Sequence, residues 1–384
     1  MADSLDTPEE ILEKRLKEKD EAYDAFKQAE AAAREGEKAG FEDLQILEER
    51  WNIALREYIR SRQDYLPLYM DEKIKPPPVI RAAYSDRMAW IMANMAKMAY
   101  IRYDSSPDPD ENEAECIARR ERERKRLDFC LQSGRYRHNS DDMQSDAGLS
   151  FTRVKIFDTT ESKTNKTGTQ AFLAKCDTFA VLSFRGTEPS RWSDVWTDLK
   201  AVRRKTKAGE VHTGFGEAYD EVKDEIHKWL PEIGSLPLYI TGHSLGAALA
   251  TVATQDLGDP KKSKFADQIA ACYTFGSPRV GDRNYEGKIK VPVYRMVHST
   301  DVVTLVPLFL GTYVHAGDPR YLSRADKGRI LYRGVPIVRR TWESILEMLA
   351  ALIHARNPLG VWVDAHSMTH YIRKLKTIAI RRNI

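Results

Sequence analysis

A serine between two glycines is the clearest candidate for covalent chemistry in this chain. Residues 238–250 read LYITGHSLGAALA, so a short apolar run leads into Gly-x-Ser-x-Gly at Ser244 and then into an alanine-rich run. A strand that turns sharply into a helix presents such a serine at the edge of a sheet, and the glycines are needed because a Cβ would collide with neighbouring backbone. We therefore predict that Ser244 is a nucleophile on a strand-to-helix elbow.

The helix predicted after Ser244 would supply a second part of the chemistry. The first amides of a helix have no partner within the helix, and its N-terminus carries partial positive charge. The amide of Leu245 is therefore a candidate donor to the oxyanion of a tetrahedral intermediate.

Such a serine needs an acid and a base, which follow it in the order acid, then histidine, in this type of fold. Asp301 comes just after residues 294–298, where YRMVH predicts a strand, and α/β sheets place their sites at the carboxyl ends of strands. Asp301 is therefore the predicted acid. Asp282 is the weaker alternative, because residues 277–282 (SPRVGD) predict a turn.

The base is expected near the C-terminus, where two histidines compete. A base must lie on a loop that faces the elbow. His366 precedes a predicted helix with an apolar stripe, whereas His370 falls inside that helix. We therefore predict His366 as the base and keep His370 as the alternative.

The elements that would position these residues alternate between strands and helices. Short apolar runs at 169–175, 179–184, 238–241, 269–275 and 291–297 are separated by segments of helical spacing. This alternation predicts an α/β fold with a mainly parallel central sheet that is covered on both faces. A helix is also expected after Tyr84, with Ser85 or Asp86 as its N-cap and apolar residues at helical spacing from Trp90 to Tyr100. A charged helix is expected within residues 104–130.

The N-terminal segment has a different composition. Residues 8–65 are mostly charged residues, alanine and leucine, interrupted by GEKAG at 36–40, so two helices joined by a turn are predicted. Pro76-Pro77-Pro78 ends this segment. We expect a helical hairpin over 1–75, which is a candidate for coiled-coil self-association, and one larger domain over 76–384.

Bulk properties narrow the class further. The 384 residues suffice for one large domain plus an extension. The 60 basic and 57 acidic side chains leave a net charge of +3, which gives no basis for a nucleic-acid partner. No apolar run is long enough for a transmembrane segment, and no export signal is visible. Four widely spaced cysteines predict neither a zinc site nor a disulfide framework. We expect a cytoplasmic protein, or a secreted one without a recognisable signal peptide here.

Several motifs, in their order along the chain, resemble the class 3 lipase family, the fungal-type triacylglycerol lipases and their bacterial and plant relatives. Besides GHSLGAALA they are VLSFRGT at 181–187, VHTGF at 211–215, FGSPRVG at 275–281 and TDVV at 300–303. The resemblance extends from about residue 84 to the C-terminus. It implies an α/β-hydrolase fold and a lipase that hydrolyses acylglycerol esters through a Ser244, His366 and Asp301 triad and an acyl-enzyme.

The resemblance also assigns residues around the triad. Thr187 would donate its amide and hydroxyl to the oxyanion, as a partner to Leu245. Residues 188–196 occupy the place of the family's lid, so Trp192 and Trp196 are lid candidates that would turn toward a lipid interface; an ordinary surface helix is the alternative. No metal and no organic cofactor are expected, and the expected partner is a lipid or other ester substrate.

The sequence motifs are compatible with three functions. The first is the acylglycerol lipase. The second is a phospholipase A1 or short-chain carboxylesterase with the same triad. The third is a non-catalytic lipase-like interaction scaffold, since a fold alone does not fix a function.

Overall fold

The computed structural model describes residues 14–15, 17–25, 27–28, 47, 50, 54, 83–103, 111–132, 149–160, 167–186, 202–298, 301–307, 313–322, 330–332 and 366–381. The chain divides into two compact units, Met1–Leu68 and Tyr69–Ile384. In the first unit the described residues are helical. The turn expected at 36–40 lies outside the described residues, so the hairpin and its self-association stay predictions.

The second unit is built from strands and helices that alternate along the chain. Its helices are α1 (Asp86–Met98), α2 (Glu113–Gln132), α3 (Thr213–Trp229), α4 (Leu245–Leu257), α5 (Arg283–Gly287) and α6 (Met368–Arg381). Its strands are β1 (Thr152–Asp158), β2 (Gln170–Lys175), β3 (Ala180–Phe184), β4 (Arg203–Thr206), β5 (Gly209–His212), β6 (Leu238–His243), β7 (Ile269–Phe275), β8 (Val293–His298), β9 (Asp318–Leu322) and β10 (Ile330–Tyr332).

Eight strands form one sheet in the order β1-β2-β3-β6-β7-β8-β9-β10, and β4 pairs with β5 apart from it. The five central strands, β3, β6, β7, β8 and β9, run parallel. Antiparallel strands flank them on both edges. The predicted α/β-hydrolase fold with a mainly parallel sheet is therefore confirmed, and all five predicted strands are present.

The central strands are buried on both faces, which explains why their sequences are nearly continuous apolar runs. On one face Ser183 and Thr241 donate hydrogen bonds to carbonyl groups of α1, at 3.0 and 3.3 Å. On the other face Leu182 and Ile240 join an apolar core with Ala248 and Leu249 of α4. Since successive side chains of a strand point to opposite faces, α1 and α4 cover opposite sides of the sheet.

Helices α3 and α4 are connected by hydrogen bonds and ion pairs around one buried carboxylate. Asp256 of α4 accepts from the Tyr219 hydroxyl at 3.0 Å and pairs with Lys223 and His227 of α3, both at 2.9 Å. Burial alone would raise the pKa of Asp256, but the bonds from His227 and Lys223 lower it to about 2. This cluster holds α3 against the helix that starts at Ser244.

Two further findings concern the whole of the described chain. None of its helices is long and apolar enough to cross a bilayer. No group of three or more His, Cys, Asp or Glu side chains in the described residues is arranged to hold a metal ion.

Candidate active site

Ser244 lies in the sharp turn between β6 and α4. Its backbone angles are φ 58° and ψ −127°, and it is the one non-glycine residue with positive φ among those described. Gly234, which ends an unrelated turn, has nearly the same angles, 63° and −132°. Ser244 therefore holds a conformation that suits glycine, and such strain is expected of a nucleophile elbow.

The two glycines of the motif stand where no side chain fits. A Cβ on Gly242 would meet the carbonyl oxygen of Gly246, and one on Gly246 would meet the carbonyl oxygen of Phe184. The amide of Ser244 donates to the carbonyl oxygen of Phe275 at 3.0 Å. The close approach that the glycines allow thus brings the elbow against β3 and the end of β7.

Asp301 and His366 are in contact, although 65 residues separate them. Nδ1 of His366 lies 2.8 Å from both carboxylate oxygens of Asp301, and the two side chains are 1% and 0% exposed. Because a carboxylate only accepts hydrogen bonds, the ring carries its proton on Nδ1. The other ring nitrogen, Nε2, is then the acceptor, which is the tautomer that a general base needs.

The Asp301 carboxylate has two further donors. The hydroxyl of Tyr371 donates to Oδ2 at 2.6 Å, and the amide of Val303 donates to Oδ1 at 3.0 Å. The Tyr371 hydroxyl in turn accepts from the amide of His298 at 3.0 Å. The buried carboxylate is therefore held on all sides by donors, which is what keeps a buried charge tolerable.

Gly276 connects the elbow to this pair. It follows Phe275, whose carbonyl receives the Ser244 amide, and it has a φ of 58°. A Cβ on Gly276 would lie 2.6 Å from Cε1 of His366 and 2.7 Å from Oδ2 of Asp301. The backbone at the end of β7 therefore passes directly beside the pair, and the carbonyl group just before it receives the amide of Ser244.

The alternative acid and base have other surroundings. Asp282 is the N-cap of α5, where its Oδ1 accepts from the amide of Tyr285 at 2.8 Å. His370 lies inside α6, and its ring is 5.7 Å from that of His298 between centroids. The geometry thus favours Asp301 and His366 for the two roles.

Of the oxyanion candidates, only Leu245 falls within the described residues. It opens α4 as predicted, and the amides of Ala247 and Ala248 bond to the Ser244 carbonyl at 3.0 and 3.3 Å, so the first helical turn closes on the serine. Thr187 and the lid candidates Trp192 and Trp196 lie outside the described residues and stay predictions.

Sequence reasoning misses the partners of the residue before the serine. His243, which precedes the nucleophile, is buried. Its Nδ1 lies 2.7 Å from the Tyr100 hydroxyl, and its Nε2 lies 2.7 Å from the carbonyl oxygen of His366. Burial, and then the nearby His366, hold the pKa of His243 well below its ordinary value. No local pattern could have found Tyr100 or Tyr371, because their partners lie far away along the chain.

Part of this sequence is similar to the sequences of known proteins. Residues 181–311 match the family described as lipase (class 3). A lipase of Rhizomucor miehei is 30% identical over 165 residues, which are 40% of this chain and 45% of that protein. A chloroplastic phospholipase A(1) of Arabidopsis thaliana is 39% identical over 154 residues, which are 33% of each chain. The matched segments therefore span less than half of these relatives.

A solved structure of the Rhizomucor miehei lipase propeptide complex overlaps with 20% identity and a TM-score of 0.44. It covers 68% of this chain and 77% of that one. The order and direction of the strands in this chain, rather than that overlap, define its fold.

Proposed function

We propose that this chain, whose residues 181–311 match the class 3 lipase family, is a member of that family within the α/β-hydrolase superfamily and a lipase that hydrolyses carboxylic esters of acylglycerols. The observation that carries the proposal is the buried contact between Asp301 and His366 beside the strained turn of Ser244. A carboxylate, an imidazole and a serine in this order are the parts that acyl transfer requires.

The reaction proceeds in two halves. His366 takes the Ser244 hydroxyl proton at Nε2 while Oγ attacks the ester carbonyl carbon, and Asp301 stabilises the imidazolium that forms. The amides of Leu245 and Thr187, with the Thr187 hydroxyl, donate to the oxyanion. The intermediate then collapses, and the alcohol leaves with the proton from His366. Water, deprotonated by His366, attacks the acyl-enzyme, releases the carboxylic acid and restores the serine.

A second candidate differs in substrate rather than in chemistry. The 39% identity to a phospholipase A(1) supports hydrolysis of the first acyl ester of a phospholipid by the same triad. A short-chain carboxylesterase would use it as well. Initial rates on triacylglycerol emulsions, phosphatidylcholine vesicles and soluble short-chain esters separate these three activities.

The proposal is tested first on the nucleophile. Ser244→Ala should lower kcat on every substrate that the wild type accepts by about 10⁴-fold or more, because the attacking oxygen is lost. Ser263→Ala is the matched control: Ser263 is also buried, but it bonds to the amide of Phe265 beyond the far end of α4. It should leave kcat unchanged.

Labelling with a fluorophosphonate ester tests the same site without a substrate. The wild type and Ser263→Ala should be labelled on Ser244, as peptide mapping would show, and Ser244→Ala should not react. A wild-type protein that neither reacts with the label nor hydrolyses any ester in the panel would overturn the proposal and favour the interaction scaffold.

A further inference from the structure

His243 stands between a tyrosine and the proposed base, and both of its ring nitrogens are engaged. Nδ1 lies 2.7 Å from the hydroxyl of Tyr100, and Nε2 lies 2.7 Å from the carbonyl oxygen of His366. The side chain is buried, and its ring centroid is 4.2 Å from that of His366. One imidazole thus touches both the ring and the backbone of His366.

The direction of each hydrogen bond follows from the partners. A carbonyl oxygen only accepts, so Nε2 of His243 carries the proton and donates to His366. In a neutral imidazole the other nitrogen is then an acceptor, so the Tyr100 hydroxyl donates to Nδ1. Burial and the neighbouring His366 keep His243 neutral, because both lower its pKa. The result is a directed chain from Tyr100 through His243 to the carbonyl of His366.

These hydrogen bonds from Tyr100 and His243 hold the backbone of His366, which Asp301 does not contact through its own bond to the ring. Asp301 holds the far side of the His366 ring and fixes its tautomer, whereas the distance from Nε2 to the serine also depends on where the His366 backbone stands. His243 bonds to that backbone and is joined covalently to Ser244. It therefore connects the nucleophile, through one side chain, to the peptide group of the proposed base.

We propose that Tyr100 and His243 are positioning residues for the base, which fix the backbone of His366 at the distance from Ser244 that proton transfer needs. The inference rests on the proposed function, since it assigns His366 as the base. A misplacement of about 1 Å at a reacting group is enough to lower a rate by about 10²-fold.

Tyr100 also borders the strand that leads to the proposed oxyanion loop. A Cβ on Gly186 would collide with the Tyr100 hydroxyl and with the carbonyl oxygen of His243. Because Gly186 has no side chain, the end of β3 can approach the Tyr100 hydroxyl, which is the group that donates to His243. The Tyr100 hydroxyl therefore lies beside both the His243 ring and the end of β3.

A neutral link is required because of what happens to His366 during turnover. When it takes the serine proton, its ring becomes positive, and the two rings are close enough for a second positive charge to oppose that step. A neutral donor meets both needs: it bonds to the carbonyl and adds no charge. Glutamine is an uncharged side chain long enough to replace it, since its amide carries one acceptor and one donor group a similar distance apart.

The experiment compares variants of the full chain on a soluble short-chain ester, with kcat counted per fluorophosphonate-reactive site. His243→Leu, which removes both bonds, should lower kcat by about 10²-fold and leave KM within about twofold. His243→Gln should recover at least about tenfold of that loss. Tyr100→Phe should lower kcat by several-fold, and adding it to His243→Leu should cause no further loss, because the chain is already broken.

Equal kcat per reactive site in His243→Leu and His243→Gln would overturn the proposal, because a role in folding alone changes the number of active molecules and not their turnover. A second readout does not need hydrolysis. The low-field proton resonance between His366 and Asp301 should keep its position in His243→Gln and shift in His243→Leu. If the wild type hydrolyses no ester, the proposed function fails by itself, while an unshifted resonance in His243→Leu would refute the positioning.

Discussion

At the scale of single residues, the carboxylate of Asp301 accepts hydrogen bonds from three different groups of the site. With no exposed surface, it accepts from the ring of His366, the hydroxyl of Tyr371 and the amide of Val303. Each donor offsets part of the cost of burying a charge. Only one of the three donors, His366, belongs to the proposed proton transfer, so the other two fix where the carboxylate points.

We expect Asp301→Asn to lower kcat by about 10⁴-fold. The amide would face Nδ1 of His366 with its own protons, so the imidazole would take the opposite tautomer, which cannot accept from Ser244. Asp282→Asn is the matched control, because asparagine caps a helix about as well as aspartate, and it should leave kcat unchanged. Steady-state kinetics on a soluble ester would decide between the two acids: a loss in Asp282→Asn and none in Asp301→Asn would reverse their roles.

At the scale of elements, the end of β7 shows how closely the sheet approaches the chemistry. Gly276 turns the chain away from the sheet with a positive φ, and its missing side chain is what lets His366 and Asp301 lie beside it. The FGSPRVG segment is therefore as much a part of the site as the serine motif, although it supplies none of the proposed reacting groups.

Gly276→Ala should lower kcat by about 10²-fold or more, because its Cβ would push His366 and Asp301 from their positions. Gly234→Ala provides the control: its φ is 63°, and its Cβ would meet nothing within 4 Å. Both variants should lower the free energy of unfolding by about 1–3 kcal/mol through backbone strain, but only the first should lose turnover. Equal kcat in the two variants, measured beside their denaturant unfolding curves, would contradict the proposed location of the site.

The elements that the sequence predicts are those whose signals are local. β3, β6 and β7 are buried on both faces and read as apolar runs, and Ser85 caps α1 as expected, accepting from the amide of Met88 at 3.3 Å. The position of Asp301 has a local signal as well, because it follows β8, and a parallel sheet brings the carboxyl ends of its strands to one edge.

β9 shows why other elements were missed. Its sequence, DPRYL, contains a proline and two charges and has no strand pattern. Arg320 is nevertheless buried, because Asp318 pairs with it at 2.6 Å and the rings of Tyr84 and Tyr294 lie against its guanidinium. The two tyrosines lie far from Arg320 along the chain, as the partners of His243 and Tyr371 do from theirs, and a single sequence does not reveal such contacts.

At the scale of the whole molecule, the fold buries imidazoles in a neutral form. Burial, and then the nearby side chains of Lys374, His370 and His366, lower the pKa of His298 from 6.5 to about 2. Between these two values the unfolded chain binds a proton at this residue and the folded chain does not. Stability is therefore lost as the pH falls below 6.5, by about 1.4 kcal/mol for each pH unit.

His298→Leu should remove this part of the acid sensitivity. The change in the free energy of unfolding that it causes should be more favourable at pH 5.5 than at pH 7.5 by about 1.4 kcal/mol, whatever the substitution does to packing, because the packing effect is the same at both values. Urea unfolding of both proteins at the two pH values measures the difference. Identical changes at pH 5.5 and 7.5 would show that His298 titrates normally in the folded chain.

The glycine-like turn at Ser244 has a consequence for attempts to make this protein more durable. Any residue other than glycine in that turn is a standing cost to the folded chain. Selection for heat resistance alone would reward glycine there and so discard the hydroxyl. Variant libraries of this protein should therefore be screened for turnover as well as for thermal stability, because their most stable members would include catalytically inactive ones.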